Sequence, residues 1–277
     1  RHETVDAEPL NFLEPSDDPQ YLGRLGRYGI TEVVGRGGMG LGLKAVDPGL
    51  NRIVAIKVLA SRLANDRSSR KRFLREARAV AAIDHDHVVT VFSVGKHGST
   101  LYLEMQFVDG RSLQEKLDQQ GALNFAEVLQ IGLQTARGLS AAHSRGLIHR
   151  DVKPANILLE RETQQVKISD FGLACVVEDL RLSSTEILVG TPEYIAPEQT
   201  EDGDVDHRAD LFCFGSVLYA MCTGRSPFAG GTTIDVIKRV VHEEPRPIHE
   251  MSPAIPQAMV ALIERLLAKD PAQRFQS

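Results

Sequence analysis

The hydrophobic period of this chain changes once along its length, and that change limits the folds open to it. Up to residue 107 the apolar runs are short and β-prone, at 30–34, 43–46, 53–59, 88–94 and 101–107. Glycines and the turn signal Asp47-Pro48-Gly49 separate them, as in an antiparallel meander. One segment interrupts the strands: over 68–83, Phe73, Leu74, Ala77, Val80 and Ala81 recur at helical spacing against a charged face, which predicts an amphipathic helix. After Gly110 the pattern turns helical over 125–145, 208–223, 233–243 and 256–268. Neither a pure sheet nor a pure bundle accommodates both halves, so the expected class is α+β with a boundary near 107–112. A chain of 277 residues suits one large domain or two lobes sharing an interface.

Residues 1–27 carry Glu3, Asp6, Glu8, Pro9, Glu14, Pro15, Asp17, Asp18 and Pro19 with no sustained period. They read as an extended, partly disordered leader on which Leu10, Phe12 and Leu13 are the only docking candidates. The chain starts at Arg1 without a signal-peptide pattern, the expectation being a segment excised from a longer protein. A net charge of -5 gives no basic field for nucleic acid or anionic lipid. No apolar run approaches the ~20 residues of a membrane helix. Three cysteines, Cys175, Cys213 and Cys222, match neither a disulfide scaffold nor a metal-ligand spacing and point to a reducing, cytoplasmic setting.

Chemistry concentrates in four places. Gly35-Arg36-Gly37-Gly38-Met39-Gly40 is a GxGxxG run whose missing side chains let backbone N–H groups approach a phosphate. Strands are expected on both sides of it, which disfavours a dinucleotide fold, where it should open a helix. Next comes Val54-Ala55-Ile56-Lys57, whose lysine on a buried strand needs an anionic partner; Glu76 on the amphipathic helix is the candidate. The third place, His149-Arg150-Asp151-Val152-Lys153-Pro154-Ala155-Asn156, is the most informative. It combines a carboxylate that can orient a hydroxyl, a lysine that can neutralise a moving phosphoryl group, and an amide that can ligate a metal. Finally, Asp170-Phe171-Gly172 follows a short apolar run and places a second metal-binding carboxylate. His85 and His87 form an HxH pair, for which packing outweighs chelation.

Together with Ala196-Pro197-Glu198, these motifs resemble, in order, the signature set of the protein-kinase superfamily over residues 28–277. The run Gly-Arg-Gly-Gly-Met-Gly and the Ala-Pro-Glu-Gln closure are most similar to bacterial eukaryotic-like (Hanks-type) serine/threonine kinases. The resemblance implies a two-lobed fold: a small antiparallel five-stranded lobe with one helix over 28–107, and a larger, mainly helical lobe over 108–277 whose last helix is truncated.

It also implies ATP and Mg²⁺ as cofactors. Gly35, Gly37, Gly38 and Gly40 would cover the phosphates, and Lys57, held by Glu76, would contact them. Ala55, Met105, Gln106, Val108 and Leu158 would line the nucleotide pocket, and Asn156 and Asp170 would hold the metal. Asp151 would orient the substrate hydroxyl and accept its proton, while Lys153 would stabilise charge on the γ-phosphoryl group and mark the acceptors as serine or threonine. Thr191 would bond to Asp151 and Lys153; Leu188, Pro192 and Ile195 would take an apolar residue after the acceptor. Ser112 and Ala220 stand where arginine-directed kinases carry glutamates, so no arginine preference is expected. Arg150 implies control by activation-loop phosphorylation at Thr185, Ser183 or Ser184, with Thr185 favoured. Val80, Val91, His149 and Phe171 would form the stack linking the lobes, with Asp210 anchoring His149, and Glu198 would pair with Arg274.

Expected partners are proteins carrying serine or threonine, with no nucleic acid and no membrane contact within this segment. Relatives often carry a membrane span outside this domain, and some form homodimers through the small lobe. One departure stands out: Gly42 replaces the valine usual over adenine. That substitution predicts weaker ATP binding, by about 1–2 kcal/mol, and is the only feature favouring a non-catalytic binding scaffold.

Overall fold

A computed structural model describes residues 10–37, 40–171, 192–200 and 205–277. The chain divides into two compact units, one made of Arg1–Lys71 with Val91–Phe107, the other of Arg72–Thr90 with Val108–Ser277.

Unit 1 is built on a six-stranded antiparallel sheet: β1 (Gly23–Leu25), β2 (Tyr28–Gly37), β3 (Gly40–Asp47), β4 (Arg52–Leu59), β5 (Val91–His97) and β6 (Thr100–Gln106), in the order β1-β2-β3-β4-β6-β5. Alternation along the strands decides the faces. Leu41, Leu43 and Ala45 of β3 and Val54, Ile56 and Val58 of β4 are buried on one side with Leu25, Tyr28 and Ile30. The β3–β4 reversal is set by Asp47, whose Oδ1 accepts from the Gly49 N–H at 3.0 Å, the local side-chain turn that aspartate offers.

The sheet has six strands where five were expected, because the segment before Tyr28 is part of it. Leu10, Phe12 and Leu13 pack on the apolar face of β3 and β4. Glu14 exchanges both backbone hydrogen bonds with Arg24 at 2.8 Å, and β1 pairs with β2. Residues 10–27 are therefore seated on the sheet and not a loose leader: three apolar side chains without a period still bury enough surface to offset ordering a short segment.

Helix α1 (Ser61–Asn65) and helix α2 (Arg67–Ala81) follow β4; Phe73, Ala77 and Val80 form the buried stripe of α2. In unit 2 a small sheet, β7 (Gly110–Ser112), β8 (Ile157–Glu160) and β9 (Val166–Ile168), is ordered β7-β8-β9. The helices are α3 (Leu113–Gln120), α4 (Phe125–His143), α5 (His207–Thr223), α6 (Thr233–His242), α7 (Ile248–Met251) and α8 (Gln257–Leu266). Helix starts carry their side-chain signals: capping boxes at Ser112/Glu115 and Thr232/Asp235, and N-caps at Asn124 and Asp206. Helix α5 is buried along almost its whole length, as a central helix hydrophobic all round must be. It passes α8 so closely that a Cβ on Gly215 would lie 2.7 Å from the Leu266 Cβ. Among the described residues, no helix is long and apolar enough to cross a membrane.

Candidate active site

The site in unit 2 is organised from the first turn of α5. Asp210, fully buried, accepts the His149 N–H at 2.8 Å and the Arg150 N–H at 2.7 Å, and bonds His143 Nε2 at 2.7 Å. A carboxylate holding backbone donors in this way replaces the ladder that a loop lacks. It secures a costly conformation, since Arg150 has φ 65°, a left-handed backbone that non-glycine residues avoid.

From there the loop is knitted to the residues that carry chemistry. The Asp151 N–H donates to His149 Nδ1 at 3.2 Å, which leaves Nε2 as the protonated nitrogen donating to the Ser169 carbonyl at 2.9 Å. The His149 and Phe171 rings lie 4.5 Å apart. Lys153 Nζ reaches Asp151 Oδ2 at 2.8 Å. Asn156, in the short 3-10 turn Pro154–Asn156, donates through Nδ2 to the Asp151 carbonyl at 2.7 Å and to Asp151 Oδ2 at 3.1 Å. The Asn156 amide nitrogen is thus committed to Asp151 oxygens, which leaves its amide oxygen as an acceptor. The Asn156 carbonyl accepts from the Ser169 N–H at 2.9 Å, so the residue next to Asp170 is tied to the same loop. Asp170 itself has φ 64°. An amide oxygen and a carboxylate are a donor set suited to a hard divalent cation such as Mg²⁺. Asp151, Lys153, Asn156 and the backbone leading to Asp170 are brought together; Leu158, on β8, is half-buried, and Val108 begins this unit after β6.

Two further expectations meet in this unit. Glu198 and Arg274 form a bidentate pair at 2.6 and 2.9 Å, and Arg274 also donates to the carbonyls of Ala268, Arg208 and Lys269. His87, whose imidazole burial pushes below the usual histidine range, contacts the Val166 carbonyl at 3.1 Å through Nδ1, a packing role. Glu76 on α2 is buried and accepts from Arg75 Nη2 at 2.8 Å and Nε at 3.1 Å.

In unit 1 the strand register sorts the expected nucleotide residues by face. Gly42 stands opposite Lys57, and Ala55 opposite Met105, so these four share the side away from the Leu43–Ile56 core. Gln106 lies on the other side, opposite Val54, and its backbone is what it can offer a ligand. Gly35 and Gly37 lie in β2 with open space where a Cβ would project, whereas Gly40, at φ 134°, runs so close to the Val58 carbonyl that no side chain fits. The place of the valine missing at 42 is partly filled: a Cβ there would lie 3.3 Å from Val34 Cγ2. Gly38, Thr185, Ser183, Ser184, Gly172, Leu188 and Thr191 lie outside the described residues.

Sequence reasoning passed over Gln199, which reaches the site from the 3-10 turn Pro197–Thr200. Its Nε2 donates to the Arg150 carbonyl at 2.9 Å, and its Oε1 accepts from the Ala196 N–H at 3.1 Å and from Cys213 Sγ at 3.6 Å. Burial pushes the Cys213 thiol well above its ordinary pKa, so it is a standing S–H donor. Its sequence signal was its place at the end of the Ala-Pro-Glu-Gln closure, directly after Glu198.

Residues 28–277 match the family model described as "Protein kinase domain". The chain belongs to the protein kinase family. This kinase domain is 39% identical over 257 residues to the serine/threonine-protein kinase PknA of Mycobacterium tuberculosis, covering 91% of the chain and 59% of PknA. It is 39% identical over 255 residues to the serine/threonine-protein kinase PknJ of Mycobacterium bovis, covering 90% and 43%. The crystal structure of the Mycobacterium tuberculosis PknI kinase domain is similar in fold, with TM-score 0.73 and 29% identity over 92% of this chain and 93% of that one. The α+β kinase fold expected from the sequence is therefore the observed one. The kinase domain spans between 36% and 59% of the length of the curated relatives named serine/threonine-protein kinases.

Proposed function

We propose that this kinase domain transfers the γ-phosphoryl group of ATP, with Mg²⁺, to serine and threonine hydroxyls of proteins. The observation that carries the reading is that Lys153 and Asn156 both lie within hydrogen-bond reach of the Asp151 carboxylate, with Asp170 one residue beyond the Ser169–Asn156 hydrogen bond.

Asp151 holds the acceptor hydroxyl in line and takes its proton as the new bond forms. Lys153, already paired with Asp151, lies where it can neutralise negative charge on the transferring group, and its presence favours serine and threonine as acceptors. Asn156 and Asp170 would hold Mg²⁺, which when bound supplies charge neutralisation at the phosphate oxygens. Lys57, with Glu76 as its anionic partner, would contact the α- and β-phosphates; Gly35, Gly37, Gly38 and Gly40 would cover the phosphates. Ala55, Met105, Gln106, Val108 and Leu158 would line the adenine pocket. Residues 28–107 and 108–277 act as the two lobes, the domain works in the cytoplasm, and Thr185, with Ser183 and Ser184 as neighbours, is its own first substrate.

The test is incubation with labelled ATP and Mg²⁺, comparing wild type with Asp170→Asn and Asp151→Asn on itself and on a generic protein acceptor. Label should appear on serine and threonine with wild type and fall by ~10²-fold or more in either variant. Equal transfer in the Asp170→Asn variant would remove the assignment.

A further inference from the structure

We propose that Gln199 is a positioning residue that fixes the peptide plane carrying Asp151, an inference that rests on the kinase reading above.

The Arg150–Asp151 peptide is held at both of its polar atoms. Its carbonyl accepts from Gln199 Nε2 at 2.9 Å and its N–H donates to His149 Nδ1 at 3.2 Å. The preceding N–H is held by Asp210 at 2.7 Å. Without the donor on the carbonyl, Arg150 at φ 65° lacks one of the contacts opposing relaxation of its left-handed backbone, and such relaxation would swing the Asp151 carboxylate. The orientation of Gln199 is not arbitrary. Its oxygen faces two donors, the Ala196 N–H and the Cys213 thiol, so a flipped amide would set donor against donor at one end and oxygen against oxygen at the other. The turn that carries Gln199 is itself anchored one residue earlier, where Glu198 meets Arg274 at 2.6 Å. A chain of contacts therefore runs from Arg274 through Glu198 and Gln199 to the peptide of the general base.

Two variants separate positioning from packing. Gln199→Met keeps the volume and removes the donor; Gln199→Glu keeps the acceptor toward Ala196 and Cys213 and replaces the donor with an oxygen that donates only when protonated. The charged groups around that position are Asp210, Glu198, Asp151 and Arg274, with Arg150 at the carbonyl. Steady-state kinetics on a protein acceptor should show kcat of Gln199→Met lowered by about tenfold or more, with KM for ATP and acceptor changed by less than about threefold. For Gln199→Glu, kcat relative to wild type should rise as pH falls toward the pKa of the introduced carboxyl, because protonation restores the hydrogen bond to Arg150. A purely structural glutamine would give no such slope.

Wild-type kcat in Gln199→Met, or a ratio flat with pH in Gln199→Glu, overturns the proposal. If Gln199→Met does not fold, the pH slope of the isosteric Gln199→Glu decides alone. A wild-type protein that transfers no phosphoryl group defeats the kinase reading and this inference with it, an outcome distinct from active wild type with indifferent variants.

Discussion

Buried carboxylates can be satisfied in two ways, and Asp47 with Glu104 in unit 1 and Asp210 in unit 2 show the contrast. In unit 1, Asp47 and Glu104 are closed to solvent but answer to arginine side chains: Arg27 reaches Asp47 at 3.3 Å and Arg52 reaches Glu104 at 3.1 Å, with Arg27 57% exposed. In unit 2, Asp210 takes backbone N–H groups. The strands around Asp47 and Glu104 already have their register from the β3–β4 and β4–β6 ladders, so those ion pairs add little shape. The loop at 149–151 has no ladder, and its shape depends on Asp210. A buried charge can serve stability or it can serve geometry, and the partner type tells which.

Replacing Asp210 by alanine should produce the largest effect. It strips the partners from two backbone N–H groups, at about 1–3 kcal/mol each, and frees the strained Arg150. Chemical denaturation should show a loss of about 3–5 kcal/mol, and the milder Asp210→Asn should lower phosphoryl transfer while leaving the fold. An unchanged denaturation midpoint in Asp210→Ala would break the contrast.

Arg274→Ala comes next. The guanidinium is fully buried beside Glu198, and its removal leaves that carboxylate and several carbonyls unpaired, for about 3 kcal/mol by denaturant titration. Glu104→Gln sharpens the other side of the comparison. It keeps the shape of the side chain and the hydrogen bond from Ser93, which lies at 2.7 Å, so about 1–2 kcal/mol should be lost with kcat unchanged. A fall in kcat would mean that unit 1's charges also set geometry.

The smallest effect belongs to Glu127, an intermediate case on the surface of α4. The hydrogen bond from Lys116, at 2.7 Å, holds its carboxyl below the usual glutamate range. A depressed folded pKa gives stability that is fully present above the unfolded pKa and lost as pH falls through the folded one. Melting curves should therefore show Glu127→Gln less stable than wild type by about 0.5 kcal/mol at neutral pH, given partial exposure. The difference should vanish as pH falls through the lowered folded pKa of Glu127.

Much of the fold was legible because it is periodic. Strands β3 and β4 alternate, and α2, α4, α5, α6 and α8 lie within two or three residues of the spans their apolar spacing predicts. The seated segment at Leu10–Leu13 and strand β1 were not legible, since three apolar residues among acids and prolines have no period. Helix α1 and helix α3 are too short to carry one. In the site, Asp151, Lys153, Asn156 and Asp170 announced themselves by spacing, whereas Gln199 and His143 act on atoms that spacing does not reveal.

What the sequence determined by itself is the inventory and its order: which side chains can handle a hydroxyl, a phosphoryl group and a metal, and where strand gives way to helix. Those follow from local rules, in which a residue acts through its type and its near neighbours. The family resemblance named Asp210 as the anchor of His149, but only the tertiary structure decided which backbone atoms of the Asp151 loop it holds and that Gln199, far along the chain, takes the Arg150 carbonyl. A left-handed arginine is unfavourable locally and persists only where distant donors and acceptors converge on its peptide.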